Sequence, residues 1–400
     1  MNKVIKLLIL LLMIIPLCGC YDYKEINDYA IVSGVSIDKS EKENKKYTVG
    51  IQIMNAKKDE EEDASSIAFY KSNGDTIYEC LEQILLDLPK ELYLGHNEVV
   101  ILSDKLLKKE PALNFLDYFI RESEVEKDSL VIVSKDNKAY DVLKIITPLE
   151  AIPSTNLKET IKVSDGFEGT LSAITLDEFI SSLSNDGEDP VLPSVKIAGK
   201  TSKGEKNDNV TKSDPDAKLT LSNMAYFENG KLKGFFTKEE EEGYKILSNT
   251  ANGTYINVLC DRKNYATIKI KSAKTKEELS VSNNNLLVKI NTNVNGKLSE
   301  YNCKADFLKN KKYVKKLESL ASKKAQKLAL KAINKLYKEN TADALKYGEK
   351  FYSMKYKLLK KNNIKEKNVK KLVNFKISSN VKIDRLGLSI KSLKEVSASE

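Results

Sequence analysis

The sequence is poor in the side chains that most metal and nucleophilic sites require. It contains one histidine, His96, and no tryptophan. A single histidine without a cysteine cluster excludes ordinary zinc ligation, and a Ser-His-Asp or Cys-His site would have to use His96 itself. Since His96 lies between Gly95 and Asn97 in a strand-like segment, we expect it to have a structural role. Neither common glycine-rich phosphate-binding loop occurs.

Acidic side chains are abundant, but their pattern gives no specific signal for catalysis. Pairs such as Asp22–Glu25 and Asp59–Asp63 do not distinguish a glycosidase-type site from a solvated surface. We therefore predict no catalytic residue, no metal ligand and no cofactor-binding residue, and a protein that is not an enzyme.

The longest apolar run near the start is too short to cross a bilayer. Leu7–Leu17 has 11 residues without a charge, whereas a spanning helix needs about 20. Lys3 and Lys6 precede this run, and a small residue, Gly19, follows it. A basic start, a short apolar middle and a small residue at the end are typical of a secretory signal peptide.

The end of this segment, Leu17-Cys18-Gly19-Cys20, has the form of a bacterial lipoprotein signal. Gly19 is small enough to precede the cut, whereas Leu17 before Cys18 would be too bulky. We predict cleavage between Gly19 and Cys20, and a diacylglyceryl group with an added N-acyl chain on Cys20. A buried cysteine pair in an N-terminal helix is the alternative, and a metal or redox pair is disfavoured because no other Cys or His lies nearby.

The remaining cysteines are too few and too scattered to hold a disulfide-stapled scaffold together. They are Cys80, Cys260 and Cys303. Cys260 and Cys303 could pair in an oxidising compartment; otherwise all three are small buried hydrophobic residues. With 41% hydrophobic residues, the mature chain can bury packed cores, and its length suggests two or three domains.

Charge is distributed unevenly along the chain. Residues 304–376 contain 23 lysines and 6 acidic residues, while the rest of the mature chain is net acidic. This asymmetry could mean contact with anionic lipid or with an acidic partner, or the lysines could be the solvated faces of amphipathic helices. We expect no contact with nucleic acid, which an exported lipoprotein would rarely meet.

Hydrophobic periodicity predicts an α+β chain with mixed or antiparallel sheets flanked by helices. A hairpin is predicted over residues 29–54, and a second one surrounds Asn229-Gly230, a strong turn signal. Thr237 and Glu240 form a capping box that opens a short helix. Helices are predicted at about 306–338, which is long and amphipathic, and at 343–361, followed by a final strand at 373–383.

The predicted organisation has four parts. Residues 199–217 contain almost no apolar side chain and indicate a linker or a long exposed loop. We expect the signal peptide at 1–19, an N-terminal α+β domain or domains at 20–198, this linker or loop, and a C-terminal α+β domain at 218–400.

The residues after the cleavage site resemble the Ger(x)C family of spore germination lipoproteins. The stretch Gly19–Lys39 is similar to the family's opening Cys-Trp-Asp-x-Arg-Glu-Ile and its Gly-Ile-Asp-Lys-like ending, with Tyr21 in place of Trp and Lys24 in place of Arg. Further similar segments lie later in the chain: Leu94–Ile101, Leu192-Pro193, residues 225–237 and Ala342-Asp343.

This resemblance implies a subunit of a nutrient-germinant receptor at the outer face of the cytoplasmic (spore inner) membrane. Such receptors combine two polytopic membrane subunits with the lipoprotein, and family members are multi-domain α+β proteins without a known enzyme fold. The expected partners are therefore these two subunits and the membrane through Cys20, while contact of the basic region 304–376 with lipid stays one of the alternatives given above. The alternative is a solute-binding lipoprotein of an ABC transporter, although this class usually has two α/β lobes with repeated βαβ units.

Overall fold

The computed structural model describes residues 25–55, 65–164, 173–261, 263–282, 285–303 and 311–385. The predicted signal peptide, Gly19 and Cys20 lie outside these residues. No helix within the described ranges has an apolar stretch of the length that a membrane span requires.

The larger of two sheets has nine strands and is mixed. Its main path runs in the order β3-β2-β1-β5-β6-β7-β8-β9, with β4 paired beside β1. Strands β1, β5, β6 and β7 are mutually parallel, while β2 and β3 on one side and β8 and β9 on the other are antiparallel to their neighbours. The strands are β1 Tyr29–Lys39, β2 Tyr47–Met54, β3 Ile67–Gly74, β4 Glu91–Tyr93, β5 Val99–Ser103, β6 Leu130–Ser134, β7 Val191–Gly199, β8 Ala217–Glu228 and β9 Lys231–Phe235.

Helices cover both faces of this sheet, because its central strands are apolar on both sides. One core contains Val100, Leu102 and Phe119, and the other contains Val99, Ile101 and Leu157. The helices of this half are α1 Ile77–Leu85, α2 Asp104–Leu107, α3 Leu113–Arg121, α4 Ala139–Val142, α5 Pro153–Val163, α6 Leu176–Ser184, α7 Thr201–Gly204 and α8 Asp208–Thr211.

The polar segment 199–217 connects two neighbouring strands of this one sheet. Strands β7 and β8 on either side of it pair antiparallel, from Gly199 with Ala217 to Val191 with Tyr226. Within the segment Asn209 is buried, and its Nδ2 donates to the carbonyls of Ile146 and Ala217 at 2.7 and 3.0 Å. The segment is therefore a loop between two strands of the larger sheet and does not separate two sheets. Polar composition indicates exposure, but it cannot show whether the flanking strands pair with each other.

The smaller sheet has the order β10-β11-β12-β13, with β12 and β13 parallel and the other pairs antiparallel. Its strands are β10 Tyr255–Leu259, β11 Tyr265–Ser282, β12 Asn285–Tyr301 and β13 Val373–Arg385. The helices are α9 Lys238–Leu247, α10 Lys311–Ile333, which continues as a π-helix over Asn334–Glu339, α11 Tyr347–Lys361 and α12 Val369–Leu372. Helix α10 packs against β13 and α9, burying Leu317, Ala321, Ala325 and Leu328.

The prediction of an α+β fold with mixed sheets and flanking helices is confirmed. Both predicted hairpins form, and Asn229 and Gly230 have the positive φ values, 51° and 76°, that a tight turn with this sequence requires. The helix predicted from 343 begins only at Tyr347. The backbone of Lys346 is in the left-handed conformation, with φ 61°, and a helix cannot continue through it. The start predicted at 306 for α10 lies outside the described residues.

Among the described residues, one disulfide joins the segments that follow β10 and β12, at the same end of the smaller sheet. Cys260 follows β10, Cys303 follows β12, and the bond closes a loop with a sequence separation of 43 residues. Cys80 is free and buried. Of the two alternatives for Cys260 and Cys303, the structure therefore has the paired one.

Replacing both Cys260 and Cys303 with Ser should lower the free energy of unfolding by up to about 4 kcal/mol, because a loop of this length restricts the unfolded chain. Denaturant titration of the oxidised wild type and the double variant measures the difference. Each single variant should lose as much as the double variant. A double variant as stable as the oxidised wild type would contradict a stabilising disulfide.

Candidate functional site

The family-like segment Leu94–Ile101 forms a turn between two strands that both pair with β1. Tyr29 pairs with Glu91 of β4, whereas Gly34 pairs with Val99 of β5, so the register changes at the turn. The strand-like segment around His96 therefore consists of two strands, β4 and β5, with a turn between them. The residues between Tyr93 and Val99 form the turn. The alternation of apolar and polar residues alone does not reveal it.

The buried polar residue of this turn is Asn97, and His96 beside it is exposed. The Asn97 Nδ2 donates to Ser129 Oγ at 2.8 Å, and Ser129 Oγ donates to the Asn97 carbonyl at 2.7 Å. These bonds connect the turn to the residue that precedes β6. The structural role expected for His96 therefore belongs to its neighbour Asn97.

Two other family-like segments, residues 225–237 and Ala342-Asp343, meet at a buried contact between the two sheets, which we call the junction. It consists of Asp189 before β7, Asn229 in the β8–β9 turn, Asp343 before α11, and Lys370 in α12. The Lys370 Nζ lies 2.7 Å from Asp189 Oδ2, and the side chains are 7% and 4% exposed. Lys370 also donates to Asn229 Oδ1 at 3.2 Å.

Both oxygens of Asp189 have further donors. The backbone N–H of Asn229 donates to Oδ1 at 2.7 Å, and the N–H of Asp343 donates to Oδ2 at 2.8 Å. In return the N–H of Asp189 donates to the carbonyl of Asp343 at 3.1 Å. A buried carboxylate is tolerated only when charge and hydrogen bonds compensate its lost hydration, and Asp189 has both.

Asp343 organises the start of α11. Its Oδ1 accepts from Tyr337 Oη at 2.5 Å and from the N–H of Tyr347 at 2.8 Å, and its Oδ2 accepts from the N–H of Gly348 at 2.6 Å. These acceptors satisfy N–H groups that have no partner inside the helix. Burial nevertheless raises the pKa of Asp343 to about 6, although the donors favour the ionised form.

Two glycines allow the backbones to approach closely at the junction. A Cβ on Gly348 would lie 2.6 Å from the Cα of Gly187, and a Cβ on Gly187 would lie 2.4 Å from the backbone N of Glu349. Both distances are shorter than any side chain tolerates. The contact therefore requires glycine on both sides, which sequence analysis did not identify.

An apolar core shared by the two sheets surrounds the junction. Val191, Met224 and Tyr226 of the larger sheet belong to the same cluster as Leu286 and Val288 of the smaller one. Helix α11 and the π-helix complete the cluster with three fully or nearly buried side chains, Tyr337, Tyr347 and Phe351. The arrangement offers no reactive group to solvent. Its contacts join the two sheets through one buried cluster.

Five lysines of the basic region 304–376 pair with carboxylates elsewhere in this chain. Lys324 and Lys331 both pair with Glu239 of α9 and hold the pKa of that carboxyl at about 2. Three more pairs cross between elements: Lys346 with Glu188, Lys350 with Glu277 and Lys370 with Asp189. Part of the predicted charge asymmetry is therefore compensated by the acidic remainder of the same chain.

Among the described residues no group of three or more His, Cys, Asp and Glu side chains is placed to hold a metal ion. Cys20 and Gly19, the predicted lipidation and cleavage residues, lie outside the described part of the chain and stay predictions.

Comparison with protein families finds two adjacent matches. A model described as "Spore germination protein N-terminal domain" matches residues 22–197, and one described as "Spore germination B3/ GerAC like, C-terminal" matches residues 222–387. The two matches meet across the loop that connects β7 and β8. The division into domains at this loop stays a prediction, since the larger sheet continues through it.

Several germination proteins are similar over most of the chain. Spore germination protein KC of Bacillus subtilis (strain 168) is 26% identical over 88% of this chain and 88% of its own length. Spore germination protein B3 of the same strain is 24% identical over 86% and 87%, and spore germination protein GerQC of Bacillus cereus is 24% identical over 84% and 86%. The crystal structure of the GerBC protein superposes with a TM-score of 0.55 at 19% identity, covering 88% of this chain and 97% of that one, which shows a shared fold.

Lys370→Met should reduce the free energy of unfolding by about 3–5 kcal/mol, because it leaves the buried Asp189 carboxylate without its countercharge. The matched control is Lys371→Met, which removes the exposed neighbouring lysine. Adding Asp189→Asn to Lys370→Met should recover part of the loss. Equal stability of the two single variants in denaturant titration would show that the pair does not hold the sheets together.

The stability contributed by Asp343 should fall as pH rises. Its folded pKa of about 6 lies above the ordinary value of 3.8, so its contribution is fully present below about pH 4 and is lost as pH rises through 6. The change amounts to roughly 3 kcal/mol. Urea unfolding of wild type and Asp343→Asn at pH 4.5 and 7.5 measures this. The stability difference, wild type minus variant, should be larger at pH 4.5, and a difference independent of pH would contradict the raised pKa.

Proposed function

The chain belongs to the spore germination B3/GerAC-like family, and from this we propose that it is a lipid-anchored, non-enzymatic subunit of a spore receptor for nutrient germinants. In this proposal it joins two polytopic membrane subunits at the outer face of the cytoplasmic (spore inner) membrane and is needed for assembly and signalling of the receptor. The observation that carries the proposal is the family match, which spans both sheets from residue 22 to residue 387.

The position of that match supports an anchor at Cys20. The N-terminal family domain begins at residue 22, two positions after the cysteine that follows the apolar run and Gly19. Two acyl chains at about 0.8 kcal/mol per buried CH₂ make attachment stable, where one chain would be marginal.

The short connection from Cys20 to the fold supports a position close to the membrane. Tyr21–Asp28 provides eight residues before β1, and at no more than about 3.6 Å each these reach at most roughly 29 Å, less because Ile26–Asp28 is a 3-10 helix. Because β1 is a central strand of the larger sheet, the anchor connects directly to the core of the N-terminal half. That half would then lie against the headgroups or against the membrane subunits.

The basic region would add only a weak attraction to lipid in this proposal. Its lysines at positions 324, 331, 346, 350 and 370 already pair with carboxylates of the chain. Most of its other described lysines are exposed and are spread over α10, α11 and the segments that follow, so few can face a membrane at once. Specific contacts with the partner subunits would therefore orient the protein. No observation favours the alternative of a solute-binding ABC-transporter lipoprotein, because the relatives described above are named for germination.

Cys20→Ala should leave the protein unprocessed or poorly retained in the membrane fraction, and the germination response of spores should fall with it. The matched control is Cys18→Ala, which removes a cysteine that cleavage discards. Size and membrane retention are read by immunoblot, and germination by loss of spore refractility after nutrient addition. A Cys20→Ala protein of mature size that stays in the membrane and supports normal germination would contradict the anchor.

A further inference from the structure

A cavity of about 780 Å³ opens where the parallel strands of the larger sheet end. Asp38 and Lys39 at the end of β1, Ser103 at the end of β5, and Lys138 beyond β6 contribute to its wall. Strand β2, which follows β1 in sequence, pairs with one side of β1, and β5 pairs with the other side. The strand order therefore changes direction at β1. In open sheets with parallel strands, ligands bind outside the carboxyl ends at such a change of direction.

The cavity wall is strongly basic, although this half of the chain lies outside the lysine-rich region. Seven lysines line it, against two carboxylates, Asp38 and Glu41. Lys138 pairs with Glu41 at 2.7 Å, and Lys108 pairs with Asp104 at 2.6 Å. Within the described part of the chain the other five have no ion pair: Lys39, Lys42, Lys71, Lys105 and Lys109.

Neighbouring groups keep these positive charges close together. The Nζ atoms of Lys71 and Lys138 lie 4.2 and 5.4 Å from the centre of the Tyr140 ring, whose face attracts cations. Lys39 lies beside Lys109, and the side-chain hydrogen bond between them, together with the like charge of Lys109, lowers the pKa of Lys39. These lysines repel one another, and an anion bound between them lowers this repulsion.

The neutral groups of the wall add donors and no competing charge. Asn73 Oδ1 accepts from Thr48 Oγ1 at 2.7 Å and from Ser40 Oγ at 3.3 Å. Its Nδ2 then has no partner among the described residues and remains a donor. Asp38 is buried, and its two oxygens accept the N–H groups of Ala139 and Tyr140 at 2.8 and 3.0 Å. The carboxylate is thereby engaged with α4, and the ammonium groups dominate the cavity.

We propose that this cavity binds a small soluble oxyanion with at least two negative charges, carried by phosphate or by several carboxylates. Ammonium groups and amide donors are the partners that such oxygens take. Two or more charges are expected because five lysines lack a carboxylate partner among the described residues.

A lipid headgroup offers the same chemistry, but the position of the cavity favours a soluble ligand. The cavity lies at the end of β1 opposite Tyr29, and 11 residues at about 3.3 Å each separate the two ends by roughly 35 Å. With the lipid at Cys20, the start of β1 is the end nearest the membrane. This choice of ligand source rests on the proposed function, whereas the anion site itself does not.

The test is calorimetric titration of the mature chain carrying Cys20→Ser with inorganic phosphate and with citrate at low ionic strength. The pocket variant is Lys71→Gln with Lys109→Gln. The control is Lys357→Gln with Lys361→Gln, which removes the same two charges from the exposed surface of α11. We expect at least one probe to bind and the pocket variant to lose roughly 10- to 100-fold in affinity, with less than about twofold loss in the control.

Thermal melting of both variants shows whether weaker binding results from a less stable fold. Removing Lys109 relieves repulsion with Lys39, so the pocket variant should melt no lower than the control. The proposal is overturned if neither probe binds, or if both variants weaken binding equally. It is also overturned if the pocket lysines are needed only for binding to vesicles that contain phosphatidylglycerol, which would identify a lipid headgroup. Since the assay reads binding by the unanchored chain, its failure leaves the anchor at Cys20 untouched.

Discussion

The ion pair between Asp189 and Lys370 exists only because four distant segments of the chain meet at one buried point. Asp189 precedes β7, Lys370 lies 181 residues later, and Asn229 and Asp343 supply the remaining hydrogen bonds. The desolvation of two charges must be compensated there, so the segments have to be placed accurately. This constraint explains the paired glycines, the late start of α11 and the shared core. It places residues of both sheets around one buried contact.

Whether a charged side chain of this protein is neutralised depends on which residues it contacts in the fold, and not on the composition of its own sequence region. The lysines of residues 304–376 compensate Glu188, Asp189, Glu239 and Glu277, so the most basic stretch of sequence is partly neutralised. The lysines of the cavity come from β1, β3, α2 and the residues that follow, and lie in a part of the chain that is not basic as a whole. A positive surface therefore forms from lysines of several separate segments, in a part of the chain that is not basic as a whole.

The secondary structure was largely predictable, because local rules govern it. Alternating apolar residues identified both hairpins, Asn229-Gly230 identified a turn, and the Thr237–Glu240 capping box marks the start of α9 as observed. Predictions failed where a residue's conformation depends on a remote contact. The turn at Asn97 is held by Ser129, and the start of α11 is set by Asp343 within the junction. Neither partner is near in sequence, so periodicity could not reveal them.

The sequence by itself determined the class of fold, the resemblance to germination lipoproteins and the predicted lipid attachment at Cys20, since each depends on local composition or a contiguous motif. Only the tertiary structure decided that β7 and β8 pair across residues 199–217, that Cys260 and Cys303 are joined, and that the junction and the lysine cavity exist. The physical reason is common to all four. Strand pairing, disulfides, buried ion pairs and cavities are made by groups far apart in the chain, and no local propensity specifies which distant groups will meet.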